Sequence, residues 1–422
     1  MADAALEAPH GLKASPWGLV VALGVTQIIG WGSLYYAIAL LIQPLSIAVA
    51  SDQATVVGAF SVAMLVAGLS SSVIGSLIDR YGGRWVMSLG SLLSSALLAA
   101  LTQVHSVPAL YLIWMGLGLA MAATLYDPAF AVLGQVFQDK QRQAITVLTL
   151  FGGFASTIFW PLTQALVTAQ GWQQTLWALA AINLLVCVPL HWLLVPRPTP
   201  VLGVAFKPNG QPARSTTSLR QVLRDPSFYG LCAAFAGNAL VFSAMSVHLI
   251  TLLNRQGLSL VQAAWIGACI GPMQVLGRVL ESVFLHHLQP SRVGMLAMWL
   301  LPMSLVLLAA LPTQLLGYAG FALLYGMSNG VMTIVRGALP AELYGREHYG
   351  AVNGAMSMPV LMAKAAGPMV ASMLLATTRS PQTLLAALAA LGMVCAALFS
   401  LMAMRRGAAV WSSHAPSTPQ EV

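Results

Sequence analysis

Six ionisable side chains stand within long apolar runs or at their edges: Asp127, Arg278, Glu281, Arg336, Lys364 and, at the end of a run, Glu342. Hydrocarbon rejects such groups at a cost of about 3 kcal/mol each on insertion scales, so each is a candidate functional site. A guanidinium offers a carboxylate two parallel N–H donors, and an ammonium adds a compact point charge. Arg278 in "GPMQVLGRVLESVF" (271–284) and Lys364 in "PVLMAKAAGPMVASM" (359–373) are therefore candidate anion ligands. Two cations facing one dry cavity repel each other until an anion arrives. Asp127 in "LYDPAFAVL" (125–133) is a candidate proton carrier, or else a fixed partner for a base such as Arg336. Glu281 stands three residues after Arg278, so on a helix it either neutralises that arginine or joins Asp127 in proton coupling. Tyr35, Tyr36, Gln274, Tyr325 and Asn329 can complete a pocket, though each also suits helix packing. His248 could titrate, while His286 and His287 fall at the end of a run.

Only a membrane can hold these charges in such company. Of 422 residues, 58% are hydrophobic and 7% are charged, where soluble domains run near a quarter charged. Mean hydropathy is +0.80. About 20 apolar residues span a bilayer as a helix. That ruler gives twelve spans: 17–49, 54–78, 85–104, 108–137, 144–169, 171–195, 228–253, 260–285, 292–311, 314–341, 349–377 and 381–404. Pro44, Pro128, Pro161, Pro272 and Pro368 are candidate kinks. Helix counting at ~1.5 Å per residue puts Arg278 and Lys364 near the membrane midplane.

The spans form two six-helix bundles, 17–195 and 228–404. Between them runs a proline-rich, basic linker, 196–227, with a short surface helix expected near 217–225. Tails cover 1–16 and 405–422. With the N-terminus inside, fourteen Lys and Arg fall on inner segments and two, Arg255 and Arg379, on outer loops. That bias predicts cytoplasmic termini and linker. It also accounts for most of the +8 net charge, which argues against a nucleic-acid partner. The N-terminal segment lacks the basic start of a signal peptide. Cys187, Cys232, Cys269 and Cys395 lie far apart within apolar runs, without metal-ligand spacing. The halves repeat: Gly30 and Gly237, Phe137 and Tyr344, Ala144 and Ala351, and Pro161 and Pro368 are each 207 residues apart, and Arg84 and Arg292 are 208 apart. Repeats of this kind place a substrate site near the midplane between halves.

The second and third spans are joined by "GSLIDRYGGRW" (75–85). This resembles the inner-loop signature of the major facilitator superfamily, G-x-x-x-D-R/K-x-G-R/K-R/K. Gly75, Asp79, Arg80, Gly82 and Arg84 match, and Gly83 stands where a basic residue is usual. The resemblance implies an all-α membrane fold of twelve helices and an inner gate at this loop. Arg336 and Glu342, in "RGALPAELYGRE" (336–347), are expected to join that gate. The missing charge at Gly83 is expected to weaken the lock. The first span, "GWGSLYYAIALLIQPL" (30–45), is similar to the oxalate–formate exchanger and monocarboxylate branch. That branch places an arginine in the eighth span and a lysine in the eleventh to hold carboxylates, which Arg278 and Lys364 match. The fifth span lacks the G-x-x-x-G-P-x-x-G-G pattern of drug–proton antiporters.

The resemblance thus implies a secondary transporter of small organic anions, monocarboxylates or short dicarboxylates, working by alternating access with proton symport or anion exchange. The alternative is an exporter of drugs or toxic oxyanions. A receptor would need a signalling domain, which the short tails do not supply. No nucleotide loop, nucleophile–base pair or metal cluster stands out, so neither an enzyme nor a cofactor is expected. The expected partners are a small anion, protons and the bilayer. The chain is expected to be a monomer in the cell membrane.

Overall fold

A computed structural model of the protein describes residues 15–137, 140–196, 219–311, 315–346, 348–378 and 380–412. Twelve long helices cross these residues: α1 Pro16–Ala48, α2 Gln53–Tyr81, α3 Gly83–Leu101, α4 Val107–Val136, α5 141–170, α6 172–194, α7 Pro226–Arg255, α8 260–285, α9 Pro290–Ala310, α10 Leu315–Tyr344, α11 Tyr349–Thr378 and α12 Pro381–Ser412. Helices α5 and α6 run together as one apolar stretch, parted by Gly171 at φ +81°. The helices start where capping chemistry is available. Asp52 Oδ1 accepts the Thr55 N–H at 2.8 Å, and this, with the Thr55 hydroxyl, holds the exposed Asp52 carboxyl below its usual range. Ser259 and Gln262 form a reciprocal capping box at α8. Most of the linker lies outside the described residues, and Leu219–Val222 forms a short helix within the stretch expected to hold one. Helix α12 continues to Ser412, so the tail expected from 405 begins as helix.

Of the candidate kinks, Pro128 stands three residues after a break in its helix, whereas Pro44, Pro161, Pro272 and Pro368 lie within continuous helix. Wide, π-helical turns occur at Trp31–Tyr36, Asn183–Cys187 and Glu281–Leu285. Helix α4 breaks at Leu125, whose backbone is extended (φ −80°, ψ −152°), and restarts at Tyr126. Pro128 falls in the first turn of the restarted helix, where its missing N–H costs nothing.

The halves meet at the end carrying the 75–85 loop and separate toward the other. Helix α2 lies against α11 there. A Cβ on Gly75 would overlap the Gly350 carbonyl, so only glycine permits this approach. Ser71 Oγ donates to the Gly354 carbonyl at 2.7 Å. The Asp79 carboxylate accepts the Gly350 and Ala351 N–H groups at 3.0 and 2.8 Å, capping the N-terminus of α11. Gly82 takes φ +78° to turn the chain into α3. Arg84 Nε donates to the Val195 carbonyl at 2.7 Å, and Arg80 lies over the Tyr81 ring. Gly83 packs on Val132, which any Cβ would strike. The neutral residue there is thus fixed by packing, and the contacts of Asp79 do not involve it.

A second clasp joins α5 to α8. Arg142 Nε donates to Glu281 Oε1 at 2.6 Å, and its other nitrogens donate to the Leu285 carbonyl at 3.1 Å, His286 at 3.4 Å and Leu288. Further along, α11 reaches α2 at Leu361 beside Gly68, and α8 reaches α5 at Val275 and Arg278 beside Gly153. Beyond those levels most described residues of α8 and α11 are exposed or half-buried. Replacing Gly75 by Val should push α2 and α11 apart at the loop end. Pulsed EPR between spin labels on those helices would then show a longer distance at unchanged helix content. An unaltered distance would refute the close-approach account.

Candidate functional site

Just past these ties lies a cavity of about 130 Å³, lined from both halves. The N-terminal half supplies Trp31, Tyr35, Met64, Met121, Tyr126 and Asp127. The C-terminal half supplies Asn238, Phe242, Asn329, Arg336 and Lys364. The wide turn in α1 and the break in α4 set the first group in place. Ala37 N–H reaches back five residues to the Gly32 carbonyl at 2.9 Å, and Trp31 and Tyr35 line the cavity from this turn. Their rings meet at 5.2 Å, and Trp31 meets Tyr126 at 5.1 Å. The break at Leu125, with Pro128 lacking an N–H, leaves the Thr124 carbonyl without a helical partner, and the Gln27 amide donates to it (2.9 Å) and to the Leu125 carbonyl (3.4 Å), which also takes the Ala129 N–H. Asp127 then sits in the first turn of a half-helix that begins at the cavity.

Asp127 Oδ1 accepts from Arg336 Nη2 at 2.8 Å and from Asn353 Nδ2 at 3.3 Å. Both members of the ion pair keep about a seventh of their side-chain surface open. The contact is single-pronged, and Arg336 makes no other hydrogen bond among the described residues. Lys364 lines the same cavity, and its ammonium makes no hydrogen bond or ion pair there; only its backbone carbonyl is engaged, by Ser243 Oγ at 2.5 Å. Two cations and one carboxylate thus line the cavity.

Several expected partnerships are absent, each for a visible reason. Arg336 does not pair with Glu342. Its side chain reaches Asp127 in the cavity, while Glu342 accepts from Ser291 N–H (2.9 Å) and Oγ (2.7 Å) at the start of α9. Glu281 does not neutralise Arg278, because Arg142 of α5 holds the Glu281 carboxylate and Arg278 donates to the Thr149 and Gly330 carbonyls instead. Arg278 is buried and does not line the cavity. Its Nη1 donates across the halves to the Thr149 carbonyl at 2.7 Å, and its Nε to Gly330 at 3.3 Å. The Thr149 carbonyl also takes Tyr126 Oη at 3.5 Å, so Arg278 stands directly behind the cavity's aromatic wall.

Of the other expected pocket residues, Tyr35 and Asn329 line the cavity, and Tyr36, Gln274 and Tyr325 do not. Tyr36 packs on Trp31 and Tyr35. The Gln274 backbone packs against Gly330. Tyr325 Oη donates to the Phe242 carbonyl at 3.0 Å. His248 lies 3.0 Å from the Pro368 carbonyl and 3.1 Å from Ser372 Oγ. Arg142, Thr149 and Asn353 were not singled out by sequence. Arg142 reads there as a topology charge, a backbone carbonyl has no sequence signal, and Asn353 is one amide in an apolar run.

The family described as the Major Facilitator Superfamily matches residues 20–358. An uncharacterized 38 kDa protein in the 23S RNA operon of Thermoproteus tenax is 27% identical over 301 residues, covering 70% of this chain and 72% of that protein. Monocarboxylate transporter 4 of Mus musculus is 23% identical over 390 residues, covering 88% and 81%. The crystal structure of the human organic anion transporter MFSD10 superposes with a TM-score of 0.72 at 15% identity, covering 92% of this chain and all of that one.

Removing Asp127 alone leaves Arg336 uncompensated in a low-dielectric site. Asp127→Ala should therefore destabilise the fold by about 3 kcal/mol, and Asp127→Ala with Arg336→Ala by clearly less than the sum of the single changes. Thermal unfolding in detergent micelles measures the cycle, and strict additivity would contradict the pairing.

Proposed function

Because the chain belongs to the Major Facilitator Superfamily, we propose that this transporter carries small organic anions, monocarboxylates or short dicarboxylates, by alternating access. The observation that carries the reading is Lys364, a cation beside the Arg336–Asp127 pair with no carboxylate of its own. Together these three groups leave one positive charge for a substrate to neutralise. The space is well below the roughly 300–1,000 Å³ clefts that hold drug-sized ligands, which favours a small anion over a drug. The likeness to a monocarboxylate transporter points the same way.

In this reading Lys364 meets the anion first. Arg278 joins when it releases the Thr149 carbonyl, which loosens the α5–α8 contact as the substrate loads. Asp127 is the candidate proton carrier. Glu281, held by Arg142, belongs with the gate. Asp79 and its loop close the cytoplasmic side, given the Lys and Arg bias of that face. The protein then rests open to the outside of the cell membrane, with both termini cytoplasmic. Oxyanions would meet the same cations, so they form a separate arm of the test.

Counterflow in proteoliposomes, run against carboxylates, oxyanions and cationic drugs, tests this directly. Carboxylate uptake should fall roughly 100-fold in Lys364→Ala combined with Arg278→Ala, the scale of losing two charge-assisted hydrogen bonds. Uptake of cations alone, or wild-type carboxylate uptake by the double variant, would sink the reading.

A further inference from the structure

We propose that Asp127 and Asn353 together form the proton-binding site of the transport cycle, with Asn353 the positioning residue that receives the proton's hydrogen bond. The proposal rests on the anion reading above and adds where the coupled proton resides. Asn353 is almost wholly buried, at 1% exposure. Its Nδ2 donates to Asp127 Oδ1, which fixes the amide's orientation because a carboxylate only accepts. That leaves Asn353 Oδ1 buried with no donor. A buried acceptor left empty costs free energy, and in a native fold it calls for an explanation. One hydroxyl on α11 a turn away, Ser357 Oγ, is also buried and unpaired.

The unfilled acceptor is what a protonated Asp127 would satisfy. A carboxylate has no hydrogen to offer, whereas a carboxylic acid has one O–H to donate and a carbonyl to accept. Protonated Asp127 would donate to Asn353 Oδ1 and accept from Nδ2, closing a reciprocal acid–amide pair. In the structure Arg336 holds the Asp127 carboxyl through a single nitrogen. An anion entering beside Lys364 draws on that same guanidinium. Asp127 then loses its cation and faces a second negative charge, and both changes favour taking a proton from the open aqueous side. On release of the anion the guanidinium returns and the proton leaves. Among the described residues, the charged and titratable groups around Asp127 are Arg336 from α10, Lys364 and Tyr349 from α11, and Tyr35 and Tyr126, which line the same cavity. The Tyr349 hydroxyl already donates to the Gly337 carbonyl. Asn353 lies within one helical turn of the Gly350 and Ala351 amides that hold Asp79, so the proton would bind next to the closure itself.

The test uses the full chain in proteoliposomes with propanoate and oxalate as probes. Infrared difference spectra, anion-bound minus empty, should show a new carboxylic-acid carbonyl band in the wild type that is absent in Asp127→Asn. Asn353→Leu should lower the pH midpoint of uptake by about one unit, a tenfold loss of proton affinity, with Asn353→Gln recovering part of it. A purely structural asparagine would change the melting temperature without moving that midpoint. Anion uptake with no pH dependence and no acid band in the wild type would overturn the proton site while leaving the anion reading intact. So would a wild-type midpoint in Asn353→Leu. If neither probe nor any other anion moves, the anion reading fails and this one with it. The wild-type spectrum decides the matter even where a variant does not fold.

Discussion

Hydrocarbon offers no hydrogen bonds, so polar groups that leave water must find partners on other helices or on their own backbone. This constraint fixes much of the geometry of the protein. His191 of α6 sits between Ser91 Oγ of α3 (2.9 Å) and Thr26 Oγ1 of α1 (3.0 Å), pinning three helices to one point. Asn183 Nδ2 donates to Ser33 Oγ at 2.9 Å, joining the wide turns of α6 and α1. Gln27 takes the Thr124 carbonyl that the break in α4 releases. Some buried polar atoms stay without a partner, the Asn353 carbonyl oxygen among them, and the half-buried Lys364 ammonium has none among the described residues. Both stand on α11 at the junction of the halves.

The two clasps show how one duplicated unit can close by opposite chemistry. An offset of 207 residues carries Arg142 onto Tyr349 and Asp79 onto His286. On one side a carboxylate at the end of α2 grips the amide pole of α11. On the other a guanidinium at the start of α5 grips the carbonyl pole of α8. Helix N-termini favour anions and C-termini favour cations, so both grips suit the dipole they meet. The architecture repeats while the polarity of the contact inverts.

Much of this was legible in the sequence. Apolar run lengths place all twelve spans within a few residues of their helices, apart from the far end of α12, because a bilayer imposes one length scale on them all. Asp79 and Gly82 were readable because a tight turn and a helix cap need those residue types. Side-chain partners were harder. Spacing alone sets Glu281 beside Arg278, yet Arg142 of α5 captures Glu281, whereas the Asp127–Arg336 pair was one of the two readings the residues offered for Asp127. An acceptor such as the Thr149 carbonyl has no residue identity to read. Fold follows from patterns along the chain, whereas the site depends on which helix faces which.

The stretch Trp31–Tyr36 holds more residues per turn than the α-helix on either side of it. The two segments of α1 are thereby phased independently: one face seats against the Phe151 and Phe159 rings through Gly24 and Gly32, and another turns Trp31 and Tyr35 inward. A single inserted or deleted residue within this stretch would therefore register as a change of pitch, with the helix ends left where they are. In an alignment of relatives, a one-residue gap inside the first span would mark a re-aimed cavity wall rather than a shorter helix.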